Sequence, residues 1–230
     1  MKTLWLTLVV FLIASQGLSV DDNAPDRPNE VSPAACEAVV GDANDPNGLW
    51  KKWDAVVKDP NDPNELLLKK WDAVISVLQI KDMPQKTKET IISKIITPIF
   101  DFPLMAKLVL GRKHWPKFTP PQREKFTKLF TERLKNSYRE KLSLYTDEQA
   151  YLKPATRKKT GIYIPMEMIS KGKKIAIIYK LRKVLETWKI YDVEIQGVSI
   201  LLTYRSQFDD ILRRSEPEDL LARLAKPPAP

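Results

Sequence analysis

The hydrophobic residues of this chain change their spacing near residue 150. Before that point they recur every three or four residues, and beyond it they alternate with polar residues. Alternation predicts strands with one apolar side. One alternating set precedes the residues SKGK and another follows them: Ile162, Ile164, Met166 and Met168, then Ile175, Ile177, Tyr179 and Leu181. The SKGK residues predict a hairpin turn.

Two further strands are predicted beside this hairpin. One precedes it around QAYLKPATRK at residues 149–158, and one follows it through TWKIYDVEI at residues 187–195. Short turns between consecutive strands force antiparallel pairing. We therefore expect about four strands in a mainly antiparallel sheet.

Helical spacing dominates the residues before the sheet. The pattern predicts a helix over residues 87–100 and a short helix that Asp101 caps and Gly111 ends. Thr119 and Gln122 form a capping box for a longer helix. Its predicted inward stripe repeats every four residues: Phe126, Phe130, Leu134, Tyr138 and Leu142.

Two more helices are predicted after the sheet. Ser199 follows Gly197 and can cap a helix that runs to about Arg214, and PEDLLARLA at residues 217–225 forms the last one. Helices followed by a meander of strands and then helices indicate an α+β fold. The predicted architecture is an antiparallel sheet packed against a helical layer.

The N-terminal residues predict export of the protein. An apolar run over residues 4–14 follows Lys2 and is shorter than a membrane span, which suits a signal peptide at residues 1–19. A short membrane anchor or a buried helix is the alternative. Residues 20–46 have the composition of a flexible leader, 47–226 predict one domain, and 227–230 a disordered tail.

Residues 44–74 contain an imperfect duplication. NDPNGLWKKWDAVVKD from Asn44 is echoed by NDPNELLLKKWDAVISV from Asn61. In each copy an Asx-Pro-Asn cluster can begin a helix, with Trp53 or Trp71 on its apolar side. The duplication is interpreted as a repeated helix start, and a role in docking a partner is the alternative.

Charge and composition restrict the function classes. The formal net charge of +9 favours acidic partners or anionic head groups, and export argues against nucleic acid. Cys36 is the single cysteine, so an intramolecular disulfide is excluded. Because His114 is the single histidine, His/Cys zinc sites are excluded, and its pairing with Cys36 for thiol chemistry is disfavoured by the leader position of Cys36.

Carboxylate pairs are the other candidates for catalysis. Asp192 and Glu194 share a strand face, and Asp209 and Asp210 are neighbours on a helix. Ion pairing with the abundant lysines and arginines explains Asp192 and Glu194 better than acid–base chemistry. The sequence therefore predicts that the protein is not an enzyme, and a carboxylate-dependent secreted hydrolase is the alternative.

Two blocks of sequence resemble the MlaC family, which is also described as toluene-tolerance or ABC-transporter auxiliary proteins. The first block is PIFDFPLMAKLVLGRKHW followed by FTPPQREKF, and the second is TWKIYDVEIQGVSILLTYRSQF. The matching positions are Pro98, Asp101, Phe102, Met105, Ala106, Val109, Leu110, Gly111, Trp115, Thr119, Gln122, Phe126, Trp188, Tyr191, Asp192, Val193, Gly197, Val198, Ser199, Tyr204, Arg205 and Phe208. The resemblance covers about residues 91–224, and the duplication and the leader lie outside it.

This resemblance implies a periplasmic, monomeric shuttle that carries phospholipid between the outer and inner membranes and uses no cofactor. The implied partners are an inner-membrane MCE/ABC transporter complex and an outer-membrane lipoprotein/porin complex. The implied fold encloses an apolar pocket between sheet and helices. Nine residues are candidates to contact the lipid: Phe102, Met105, Val109, Phe130, Tyr179, Tyr191, Val193, Tyr204 and Phe208.

Each of the nine can equally be a residue of an ordinary core. Methionine and aromatic side chains adapt to variable acyl chains. Two alternative functions stay open. The same apolar residues would suit a carrier of hopanoids or other polycyclic lipids, and the basic surface with the duplicated helix start would suit a non-lipid docking adaptor.

Overall fold

A computed structural model describes residues 62–142, 149–170 and 172–226 of the chain. The described residues form six α-helices and six strands, arranged as an α+β fold with an open antiparallel sheet. The predicted signal peptide, the leader, Cys36, Trp53 and the first copy of the duplication lie outside the described residues.

Two helices begin the described part. α1 spans Pro63–Gln79 and α2 spans Gln85–Ile96. Asp62 caps α1, since its side chain accepts a hydrogen bond from the backbone N–H of Asn64 at 2.8 Å. The second copy of the duplication therefore begins a helix as predicted, and Trp71 packs with its apolar side.

The helix predicted over residues 87–100 is shorter than expected. α2 ends at Ile96, and Thr97–Ile99 form a single turn of 3-10 helix. Pro98 explains this ending, because proline has no N–H to donate to the helical hydrogen bond and its ring crowds the preceding turn.

Two more helices precede the sheet. α3 spans Phe102–His114 and α4 spans Pro120–Leu142. Asp101 accepts a hydrogen bond from the N–H of Leu104 at 3.1 Å, and Thr119 and Gln122 make the reciprocal bonds of a capping box. Gly111 takes a φ of +62°, so it breaks α3 where the sequence predicts an end, and one further turn follows.

The strands are β1 (Gln149–Leu152), β2 (Thr156–Lys158), β3 (Gly161–Ser170), β4 (Lys173–Val184), β5 (Thr187–Ile195) and β6 (Val198–Ser199). Their order in the sheet is β1-β3-β4-β5-β6, and β2 pairs with the beginning of β3. The segment predicted as one strand over residues 149–158 forms both β1 and β2. Pro154 lies between them and cannot donate to a strand ladder.

Two helices complete the chain. α5 spans Ile200–Leu212 and α6 spans Pro217–Ala225. Ser199 caps α5 as predicted, because its hydroxyl accepts a hydrogen bond from the N–H of Leu202 at 3.1 Å. None of the helices in the described ranges is both long and apolar enough to cross a membrane.

Buried side chains form three clusters. One lies among α3, α4, α5 and α6 and is called the helical cluster: Met105, Ala106, Val109, Leu110, Phe118, Phe126, Phe130, Leu134, Leu201, Tyr204, Phe208, Leu212, Leu220 and Leu221. A second joins α1 to the sheet, and a third joins α1 to α2. Phe100 and Ile200 pack against both the helical cluster and the cluster on the sheet, so the two hydrophobic regions meet at these side chains.

Candidate functional site

One side of the sheet is built from aliphatic, sulfur-containing and aromatic side chains, and it is called the apolar face. The residues of β3, β4 and β5 that form it are Ile162, Ile164, Met166, Met168, Ile177, Tyr179, Leu181, Ile190 and Val193. Direct pairing holds them side by side: Ile164 lies opposite Tyr179, Met166 opposite Ile177, and Tyr179 opposite Val193. The alternation seen in the sequence therefore produces a continuous hydrophobic wall.

Helix α1 covers part of the apolar face. Leu66 and Leu67 from α1 and Ile99 from the 3-10 turn are buried against it. The side chains of Trp71, Phe100 and Tyr179 pack there too but are only partly buried. Partly buried apolar groups at the edge of a buried wall are the surface against which a hydrocarbon ligand can lie.

The nine predicted lipid contacts fall into three places. Tyr179 and Val193 lie on the apolar face. Phe102 packs at the edge of the helical cluster, and five others are members of it: Met105, Val109, Phe130, Tyr204 and Phe208. Tyr191 lies on the opposite side of the sheet. The role of all nine as lipid contacts stays a prediction.

A β-bulge explains the position of Tyr191. Leu181 of β4 lies opposite Ile190, but Lys180 lies opposite Asp192, so Tyr191 is an extra residue in β5. Its hydroxyl is 3.5 Å from the hydroxyl of Tyr163, which stands beside Lys180 away from the apolar face. Burial raises the pKa of Tyr191.

The polar side of the sheet carries an ion-pair network centred on Lys180. Its Nζ lies 3.0 Å from a carboxylate oxygen of Asp192 and 3.0 Å from one of Glu194. Burial of Lys180 opposes its charge, but the hydrogen bonds to both carboxylates outweigh burial and raise the pKa of the lysine. This shared lysine confirms the ion-pair interpretation of Asp192 and Glu194.

Asp192 also fixes the beginning of α5. The hydroxyl of Ser199 donates to its carboxylate at 2.8 Å, and the N–H of Leu201 donates at 3.2 Å. With Lys180 this gives the buried carboxylate three donors, which compensates the loss of water. Asp192 and Ser199 therefore hold the corner between strand and helix.

A second ion pair connects the sheet to α3. The carboxylate of Asp101 accepts a hydrogen bond from Nε of Arg182 on β4 at 2.7 Å while it caps α3. The N–H of Asp101 donates to the carbonyl of Ile190 at 2.8 Å, beside the bridge between Phe100 and Ile190. These bonds hold Phe100 at the boundary between the apolar face and the helical cluster.

A third charged group, between α3 and α5, includes the buried His114. Its Nε2 lies 2.7 Å from the carboxylate of Asp209, and Nδ1 is buried with no hydrogen-bond partner among the described residues. Ser206 lines the same cleft. A serine nucleophile would have to bond the free imidazole nitrogen, so this arrangement is not a catalytic triad.

The carboxylate of Asp209 accepts hydrogen bonds from three basic side chains. Hydrogen bonds from His114, Lys113 and Arg213 hold the pKa of Asp209 well below its usual range. The sequence did not reveal the contact with His114, because 95 residues separate the two side chains. Within the described ranges, no group of three or more His, Cys, Asp or Glu side chains is placed to hold a metal ion.

We expect Asp209→Asn to lower the melting temperature at neutral pH, and we expect its difference from the wild type to shrink as the pH falls below about 4. A depressed carboxylate pKa stabilises the fold at every pH above the unfolded value of about 4, and this contribution is lost as the pH falls towards the folded value. Thermal unfolding of both proteins between about pH 2 and pH 7 measures the effect. A constant difference across this range would contradict the ion-pair role.

Sequence comparisons relate the chain to known proteins. A family model described as MlaC protein matches residues 69–226. The toluene tolerance protein ttg2D of Pseudomonas putida is 25% identical over 129 residues, which are 54% of this chain and 59% of that relative. The chain thus spans less than two thirds of that relative's length.

A solved structure has the same fold at low sequence identity. It is a phospholipid-binding protein from Ralstonia solanacearum in complex with a phospholipid, determined at 1.53 Å. The match has a TM-score of 0.61 and 24% identity, and it covers 70% of this chain and 97% of that protein.

Proposed function

The chain belongs to the MlaC family, and from that membership we propose that it binds a phospholipid and carries it through the periplasm. The family match spans residues 69–226, which include the whole apolar face as well as the helical cluster. The phospholipid held by the structural relative from Ralstonia solanacearum supports the choice of ligand.

The apolar face is the structural feature that best supports phospholipid binding. Its strands offer Ile, Met, Leu, Val and Tyr side chains in register, and methionines adapt to chains of different length. The acyl chains lie between this face and the helices that pack on it. The head group stays at the protein surface, where lysine and arginine side chains can meet its phosphate.

The free energy of hydrocarbon transfer explains why such a carrier is needed. Two acyl chains contain on the order of 30 methylenes, and each costs about 0.8 kcal/mol to expose to water. A bare phospholipid therefore faces a penalty above roughly 20 kcal/mol in an aqueous compartment. An apolar cavity resembles the bilayer interior, so transfer between membrane and carrier is nearly balanced.

The proposed activity is binding and release, without a chemical step on the lipid. Since transfer is nearly balanced, partner complexes have to set its direction. We assign this role to an MCE/ABC transporter complex at the inner membrane and a lipoprotein/porin complex at the outer membrane. The protein is then the soluble component that exchanges lipid between them.

Mass spectrometry of the protein purified from a bacterial periplasm tests the proposal. We expect a two-chain phospholipid to copurify with the folded protein and to leave it on organic extraction. A bound polycyclic lipid would support the hopanoid carrier instead. Protein without bound lipid that also takes up none from vesicles would contradict the proposed function and favour the docking adaptor.

A further inference from the structure

The hairpin between β4 and β5 ends in an unusual residue. Val184 pairs with Thr187, so the connection consists of Leu185 and Glu186 alone. Leu185 has a φ of +53° and is 91% exposed. Glycine, asparagine or aspartate usually occupies such a position in a two-residue hairpin.

Leu185 carries a backbone cost in the folded state and contributes almost no stabilisation from burial to offset it. A leucine in the left-handed region carries backbone strain that glycine or asparagine avoids. Its side chain is also almost fully exposed to water and gains little from burial on folding. A contact made outside the folded chain would account for an exposed apolar side chain on a strained turn.

Basic side chains surround this tip. Lys183 lies two residues before Leu185 and is ion-paired at 3.3 Å with the exposed Glu186. Lys158 ends β2 and Lys159 lies in the turn that follows it. The close approach of Gly161, the first residue of β3, to the carbonyl of Leu181 holds this turn against β4. Both lysines are exposed.

Two other basic residues of the hairpin have partners within the protein. Arg182 binds Asp101, and Nζ of Lys189 donates to the carbonyl of Pro98 at 2.7 Å. The charge available to a partner therefore comes from Lys158, Lys159 and Lys183 against the single carboxylate of Glu186. The tip has a net positive charge around one apolar side chain.

We propose that this hairpin docks the protein on the surface of an anionic phospholipid bilayer. Leu185 enters the boundary between head groups and acyl chains, while Lys158, Lys159 and Lys183 lie at the level of the phosphates. This inference rests on the proposed function, because it gives the carrier a point of contact with the membrane that donates or receives its lipid.

The shape of the tip favours a membrane over a protein partner. A stable protein interface buries about 800 Å² on each side, and a two-residue turn supplies only a small part of that area. A narrow apolar point with lysines behind it can instead enter a fluid bilayer. β4 and β5 continue from the tip into the apolar face, so docking there places a membrane at one end of the proposed lipid site.

Sedimentation of the full-length protein with vesicles tests this proposal. We expect binding to vesicles that contain phosphatidylglycerol and weaker binding to vesicles of phosphatidylcholine alone. Leu185→Asn should reduce partitioning about tenfold, because it removes the burial of one leucine side chain. Lys183→Gln should reduce it about fivefold, and high salt should reduce it for every protein.

Leu202→Asn is the matched control, because Leu202 is 63% exposed on α5, beyond the opposite end of β5. It should leave vesicle binding unchanged. Leu185→Asn should keep or raise the melting temperature, by up to about 4 °C, since asparagine accepts a positive φ. A clear fall in melting temperature would show that Leu185 serves the fold and would overturn the proposal.

Unchanged vesicle binding by Leu185→Asn, or equal losses in both leucine variants, would also overturn membrane docking. A hairpin that instead contacts a protein partner would give the first of these results. The phospholipid that copurifies with Leu185→Asn is measured separately. If the variant still contains phospholipid but no longer binds vesicles, the hairpin proposal is supported. If the wild-type protein contains no phospholipid, the proposed function is contradicted, and the vesicle result stands independently.

Discussion

Replacing Tyr179 by glutamate is expected to abolish the copurification of phospholipid. Tyr179 lies on the apolar face between Ile164 of β3 and Val193 of β5. A carboxylate buried against acyl chains loses several kcal/mol of hydration, which corresponds to a fall in lipid affinity of about 100-fold or more. Lipid extraction followed by mass spectrometry measures the bound phospholipid per protein.

Tyr163→Glu is the matched control for this experiment. Tyr163 is also a partly buried tyrosine in the middle of the sheet, but it lies on the polar side, with Nζ of Lys180 5.6 Å from its ring centre. A carboxylate there lies away from the apolar face, so lipid content should stay at the wild-type value. Far-ultraviolet circular dichroism checks that both variants are folded. Equal loss of lipid in the two variants would contradict a binding site on the apolar face.

Replacing Phe130 by alanine is expected to reduce the free energy of unfolding by about 3–5 kcal/mol, the range for truncating a buried aromatic side chain. Phe130 is fully buried in the helical cluster. The ring centres of Phe126, Tyr204 and Phe208 lie 5.7, 5.3 and 6.0 Å from its own. The substitution leaves a cavity and removes three aromatic contacts, and urea unfolding followed by circular dichroism measures the loss.

Phe102→Ala gives the comparison for this prediction. Phe102 is only partly buried and stacks on Phe100 at 5.6 Å, so its truncation should cost about 1–2 kcal/mol. If the two variants lost equal stability, the helical cluster would not be the main core of the helical layer. Residual lipid binding by Phe130→Ala would further show whether this cluster contacts the acyl chains.

Much of the fold could be predicted because it depends on local patterns. Alternating residues mark β3, β4 and β5, and the hydrogen-bonding side chains of Asp101, Thr119 and Ser199 mark the helix beginnings. Each cap bonds a backbone group within three residues, so the sequence contains all the information required. The resemblance to the MlaC family is confirmed by the family match over residues 69–226.

Other features could not be predicted because they depend on contacts between distant segments. Nothing near Asp209 in the sequence indicates that it binds His114, and nothing near Arg182 indicates Asp101. The candidate lipid contacts show the same limit. Most of the nine candidates lie in or against the buried clusters, but the pattern could not divide them between the apolar face and the helical cluster, and it did not reveal that Tyr191 lies on the polar side.

Tyr191 shows why alternation along a strand does not always predict the side of the sheet on which a residue lies. Simple alternation places Tyr191 and Val193 on the same side of the sheet. The bulge at Tyr191 changes this parity, so Ile190 and Val193 both lie on the apolar face although they are three residues apart. Position along the sequence alone does not reveal where a bulge occurs.

The same bulge allows β5 to place Ile190 and Val193 on one side of the sheet and Asp192 on the other. Within the nine residues of β5, the stretches on either side of Tyr191 are out of phase with one another. Residues of the apolar face therefore stand on both sides of Tyr191, while the buried Asp192 lies on the polar side of the sheet and accepts a hydrogen bond from the N–H of Leu201 in the first turn of α5. Without the inserted residue, a β5 with Ile190 on the apolar face would place Asp192 on that face too. Its carboxylate could then no longer bind the first turn of α5.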